Sequence, residues 1–215
     1  IPPEESRWGR FNELIERNRA VQREILEAAA PLDPKRGAID TLIGDAWAAC
    51  MDETTAEKLG AQPLKPELEA IAALASKDGL PELVARLQRA GARPLFNFGA
   101  AQGFKDATMN MAAVDQGGLG LPDRDQYLKD DARSVELRQK YQKHVANTFA
   151  LLGETPEQAA ASAATVMQVE TGLARVSMER VKRRDPQNRY NKRTREELQK
   201  LVPSFAFARF FEAAG

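Results

Sequence analysis

With 215 residues, 43% of them hydrophobic, the chain can bury one sizeable core or two small lobes. Its 31 Lys and Arg balance 31 Asp and Glu, which argues against a general nucleic-acid or anionic-membrane binder, since such proteins carry a basic excess. No apolar run is long enough to cross a bilayer, and the single Cys cannot form an internal disulfide.

The opening Ile1-Pro2-Pro3-Glu4-Glu5 is no signal peptide, and without an initiator Met the natural start is expected upstream. Residues 6 to 30 predict one helix. Trp8, Phe11, Leu14, Ile15, Val21, Ile25 and Leu26 fall on one inward stripe, and Pro31 ends it. Arg7 stands just ahead of that stripe. A second helix is expected over about residues 38 to 58, with Ile39, Leu42, Ile43, Ala46, Trp47, Cys50 and Met51 on one face and Gly60 as the stop. Cys50 then reads as a buried, unreactive thiol. Pro66 and Pro81 open a third and a fourth helix, closed by Asp78-Gly79 and Gly91.

The period then changes. Leu95 to Phe98 and Thr108 to Ala112 alternate as strands do, with residues 99 to 106 as the loop, so a small β-hairpin is predicted. It leads into Gln116-Gly117-Gly118-Leu119-Gly120-Leu121-Pro122-Asp123-Arg124-Asp125-Gln126-Tyr127-Leu128. Three close glycines demand a sharp turn or a backbone lying against something else. The stretch lacks the Lys-Ser/Thr of a phosphate loop and the G-x-G-x-x-G spacing of a dinucleotide loop. Leu119 and Leu121 alternate with glycines, so the expected role is structural.

Helices resume with an inward face of Leu137, Tyr141, Val145, Phe149 and Leu152. Thr155-Pro156-Glu157-Gln158 is a capping box opening a helix expected to reach about residue 182. Glu170 falls on the inward face of that helix, where a carboxylate needs a partner, and an ion pair with an Arg or Lys is expected. The basic residues from Arg180 to Arg195 read as a charged helix end. Thr194-Arg195-Glu196-Glu197 is a second capping box. Ser204 is expected to cap a final segment whose Phe205, Phe207, Phe210 and Phe211 suggest a surface that packs on something absent. The fold class is mainly α, a multi-helical lobe with one small β-hairpin.

The residues alone offer no catalytic constellation. His144 is the only imidazole, and Asp123 and Asp125 are explained by turn capping and local ion pairs. One His and one Cys do not make a protein metal site.

The glycine-rich stretch resembles the N-terminal region of the neprilysin-like (M13) zinc metallopeptidases, the family that includes the bacterial oligopeptidase O enzymes. Ser6-Arg7-Trp8-Gly9-Arg10-Phe11, Ile43 to Glu53 continued by Leu59 to Leu64, and Arg184-Asp185-Pro186 with Tyr190-Asn191-Lys192 extend the resemblance in the right order over essentially the whole chain. It implies two mainly helical lobes around a cavity that admits peptides, with zinc held on a His-Glu-x-x-His helix and a downstream Glu. None of those ligands is in this chain. Residues 1–215 are therefore expected to be the non-catalytic N-terminal region, inert by itself and holding no zinc. Its implied partners are peptide substrates and a catalytic domain outside the chain, and its implied compartment is periplasmic or secreted. Arg7 matches the family arginine that contacts the C-terminal side of the substrate, and Phe11 an aromatic lining the pocket beside the zinc. At Asn12 and Ile15 the sequence departs from the mammalian pattern, which weakens the case for dipeptide release. The competing expectation is a free-standing helical interaction module that docks through its phenylalanine-rich end.

Overall fold

The computed structural model of the chain describes residues 9–31, 33 and 35–215. It divides into two compact units, Ile1–Pro63 and Leu64–Gly215. Among the described residues there are eleven α-helices and one two-stranded antiparallel sheet, which agrees with the mainly helical expectation.

The first unit holds α1 (Arg10–Ala29), α2 (Ala38–Met51) and α3 (Glu53–Leu59). α1 and α2 meet at Gly44, where an added Cβ would lie 2.1 Å from the Ala29 carbonyl oxygen. Arg36 seals the junction, donating from Nη1 to that oxygen at 3.1 Å and from Nη2 to Asp45 at 3.0 Å. The single helix expected over 38 to 58 is two helices. The Asp52 carboxylate accepts the Thr55 N–H at 2.9 Å and so caps a new helix start.

The apolar stripe of α1 is not inward within this unit. Leu14, Ile15, Val21 and Ile25 stay about half exposed, and on α2 Ile39 and Leu42 are more than 70% exposed. Cys50 is exposed as well, which corrects the buried thiol. Periodicity marks a face that favours cover; it does not say whether the same unit supplies it.

The second unit begins with α4 (Lys65–Ala72) and α5 (Leu80–Arg89) and runs into β1 (Phe96–Gln102) and β2 (Asn110–Gln116). The strands pair from Phe96↔Gln116 to Gln102↔Asn110. They are longer than predicted, because Gly99, expected in the loop, pairs with Ala113 inside the ladder. The chain then passes through α6 (Asp125–Leu128), α7 (Ala132–Leu151), α8 (Pro156–Val176), α9 (Pro186–Arg189), α10 (Arg195–Leu201) and α11 (Phe207–Ala214).

One core joins Val84 and Ala85 of α5 to Phe205, Phe207 and Phe210. Phe96 and Phe98 of β1 pack edge-on against Phe210, with ring centroids 5.2 and 5.0 Å apart. The terminal phenylalanines are therefore the inside of this unit, not a docking surface. The expected cap at Ser204 is also replaced: Ala206 takes the N-cap position, and the Gln199 side chain accepts the Phe207 N–H at 3.0 Å.

The second core lies where the glycine-rich stretch crosses α7 and α8. Leu121, Tyr127 and Ala174 are buried there with Leu119, Leu137 and Met167 around them. Both predicted capping boxes form, at Thr155 and Thr194. α8 stops at Val176, short of residue 182, because Ser177 turns extended (ψ 141°) and its Oγ donates to the Leu173 carbonyl at 2.8 Å. At the foot of the hairpin the Phe96 N–H reaches back to the Pro94 carbonyl at 2.7 Å, closing a tight turn that puts Leu95 at φ 63°. A Cβ on Gly118 would fall 2.8 Å from the Leu95 nitrogen, so the glycine is what lets the stretch lie on that turn.

Gly120 is tighter still: its Cβ would come 1.8 Å from the Tyr141 hydroxyl. Gly120→Ala is predicted to destabilise the chain by about 1–3 kcal/mol, as overpacking does. Gly172→Ala, at a helical site in α8 with no neighbour within 4 Å, should instead stabilise by roughly 0.5–1 kcal/mol. Urea melts of the two variants read both signs.

Candidate functional site

Glu170, on α8, is the anchor on which the glycine-rich stretch rests. Its Oε2 accepts the Tyr127 hydroxyl at 2.6 Å and its Oε1 accepts the Tyr141 hydroxyl at 3.0 Å. The Tyr127 oxygen in turn accepts the buried Leu121 N–H at 2.7 Å. The expected Arg or Lys partner is absent from this set; two phenols do the work of a cation. They can do so because a neutral O–H compensates a carboxylate without bringing a second charge into the core. Burial first, then the adjacent Glu170, holds the Tyr127 proton far above the ordinary phenol range, and the same causes push Tyr141 up to about 12. Groups that keep their protons this firmly are a scaffold, not an acid–base pair.

That scaffold shapes two neighbouring grooves. One, of about 660 Å³, runs along the outside of the glycine-rich stretch and is lined by Arg93, Arg124, Arg180 and Arg183 among others. Arg124 is committed to structure, with Nε donating to the Ala174 carbonyl at 3.1 Å. The second groove, of about 280 Å³, runs between β2 and residues 182–192. It is closed at its base by Gln116, whose Oε1 accepts the Met178 N–H at 2.8 Å, and by an ion pair between Arg183 and Asp115. At the hairpin tip Phe104 and Tyr190 stack at 6.0 Å, with Lys105 over the tyrosine ring and Arg189 over the phenylalanine.

The basic residues here were legible as a cluster but were read as a helix end. With α8 finished at Val176, residues 182–184 form a separate short turn, and Arg183, Arg189 and Lys192 line a groove instead. Arg93 carried no sequence signal at all. Asp123 and Asp125 do what was expected of them: Asp123 accepts the Asp125 N–H at 2.9 Å, and Asp125 pairs with Lys129 at 2.9 Å.

Of the two residues expected to touch substrate, Arg7 lies outside the described residues. Phe11 sits in the first turns of α1 with its side chain 82% exposed, which overturns its place on an inward stripe within this unit. The donor set does not fit a zinc ion. His144 and Cys50 are exposed on helices of different units, and among the described residues no three His, Cys, Asp or Glu come together as ligands.

The model for Peptidase family M13 matches residues 1–215. Endothelin-converting enzyme 1 of Cavia porcellus is 32% identical over 222 residues, which take in 98% of this chain and 28% of the relative. The Homo sapiens enzyme is 31% identical with the same two shares, 98% and 28%. Among solved structures, the zinc metalloprotease Zmp1 of Mycobacterium tuberculosis in complex with an inhibitor matches with a TM-score of 0.89 at 31% identity, over 100% of this chain and 33% of that one. Its open state matches with a TM-score of 0.87. The chain thus spans a third or less of the length of these relatives.

The tyrosine anchor gives a titration. The raised Tyr141 pKa means that its contribution to stability is complete below the ordinary phenol value near 10 and is lost as the pH rises through about 12. The tyrosinate absorbance difference between the native chain and Tyr141→Phe should be centred near that pH. In Glu170→Gln it should move down towards the ordinary value but not reach it, because burial, the larger cause, remains.

Proposed function

The chain belongs to peptidase family M13, and on that premise we propose that residues 1–215 are the non-catalytic N-terminal helical region of a zinc-dependent endopeptidase or oligopeptidase. In this reading the region covers the active-site cavity and limits substrates to peptides. The observation that carries it is the end-to-end match to a zinc metalloprotease about three times as long. An uncovered apolar stripe on α1 is what a region built to close against further chain would carry. The competing module reading loses its docking surface, since Phe205, Phe207 and Phe210 are buried in their own unit.

The zinc and its ligands would come from the enzyme beyond these residues, and no catalytic step is assigned to this chain. Arg7 and Phe11 are its proposed substrate contacts. A guanidinium can take a peptide carboxylate in two hydrogen bonds, and the exposed Phe11 ring is free to lie against an apolar side chain. The proposed compartment, periplasmic or extracellular, follows from the family resemblance.

The isolated chain should leave peptides intact and bind no stoichiometric zinc, whereas the full-length enzyme should cleave peptides and lose that activity to EDTA. In the full-length enzyme Phe11→Ala should raise KM by up to roughly tenfold, the scale of one lost aromatic contact, with a smaller change in kcat. EDTA-sensitive cleavage by the isolated chain would overturn the proposal.

A further inference from the structure

We propose that the groove beside β2 is a docking slot for an extended, acidic peptide, which adds to the hairpin as a third strand. Among the described residues β2 pairs only with β1, and no strand lies on its other edge. The Gly103 N–H bonds to the Met109 carbonyl at 2.9 Å, and hydrogen-bonded pairs alternate along an antiparallel ladder. That alternation turns the N–H and C=O groups of Ala112 and Val114 away from β1. Among the described residues neither position makes a backbone hydrogen bond on that side.

The groove takes in this edge: residues 111–116 line it consecutively, and near the hairpin tip it extends across to Ala101 and Gln102 of β1. Its far wall is held off at both ends, at the base by Gln116 on Met178 and at the tip by Phe104 on Tyr190. Between those two clasps an unpaired strand edge faces an open slot. Such edges attract a further strand unless something blunts them, and here no proline, bulge or charged side chain interrupts Met111 to Val114.

The charge on the walls selects the peptide. Arg183, Arg189 and Lys192 line the slot with a single acid, Asp115, and Asp115 is already paired with Arg183. Arg189 and Lys192 remain to meet carboxylates. Met111, Val114 and Met178 offer apolar surface to the alternate side chains. An extended peptide with acidic residues on one face and apolar residues on the other satisfies both walls, with main-chain bonds supplying affinity and the walls specificity. The source is taken to be the peptide substrate, and to that extent the inference rests on the peptidase reading; the binding itself belongs to this chain.

The test uses the 215-residue chain and fluorescence anisotropy of a labelled eight-residue peptide of alternating Glu and Val. Two comparison peptides replace Glu with Lys, or carry N-methyl groups on alternate amides. The Glu peptide should bind at least about tenfold more tightly than either, since the first loses charge complementarity and the second loses strand bonding. Lys192→Glu should weaken the Glu peptide and strengthen the Lys peptide, with the urea melt unchanged. Equal binding of all three peptides, or no binding of the Glu peptide, overturns the slot. The two readings fail separately. EDTA-sensitive cleavage by the full-length enzyme without selective binding here removes only the slot, and selective binding without cleavage removes only the peptidase.

Discussion

Glu170 brings a carboxylate into the larger unit with no cation paired to it among the described residues, and the arrangement of that unit follows from how the carboxylate is satisfied. Each carboxylate oxygen takes one tyrosine hydroxyl, from Tyr127 on α6 and Tyr141 on α7. Three helices are thereby tied at one point. A Leu121 amide added through the Tyr127 oxygen fixes the height at which the glycine-rich stretch crosses them. The stretch must lie so close that residue 120 has no room for a side chain. An ion pair would also have held the charge, but a guanidinium or ammonium carries further N–H donors that each need a partner. Phenols bring apolar rings that join the surrounding core.

From that crossing the rest of the unit is placed. Gly117 and Gly118 lie against Asn97 and Leu95 at the foot of β1, so the hairpin is set by the same stretch that Glu170 anchors. The hairpin then offers Phe96 and Phe98 to the terminal phenylalanines on one side. Its β2 edge, towards residues 182–192, faces a slot on the other. Packing, turn strain at Leu95 and the location of the basic groove are consequences of one half-buried carboxylate and three glycines.

Much of this was legible in the sequence because the signals were local. Thr155 and Thr194 capped the helices predicted of them, and the close glycines did mean a backbone against a backbone. What was not legible involved partners far along the chain. Glu170 was seen to need a partner, but nothing in the spacing pointed to Tyr127 and Tyr141 rather than to an arginine. The phenylalanine-rich end looked unsatisfied because α5 and β1, which cover it, lie more than a hundred residues earlier. The converse error concerns α1 and α2, whose regular apolar faces implied burial that their own unit does not provide. Of the expected site, Phe11 was found on an exposed surface, whereas the groove cations Arg183, Arg189 and Lys192 were hidden in plain view as a basic run.

The account turns on whether Glu170 holds the glycine-rich stretch down, and the Leu121 amide reports that directly. Its hydrogen exchange, followed by NMR, should be as slow as that of the α8 core in the native chain. In Glu170→Ala it should accelerate by orders of magnitude, while amides around Val84 and Phe210 keep their protection. A Leu121 amide that exchanges rapidly in the native chain, or one that stays protected without Glu170, would contradict it.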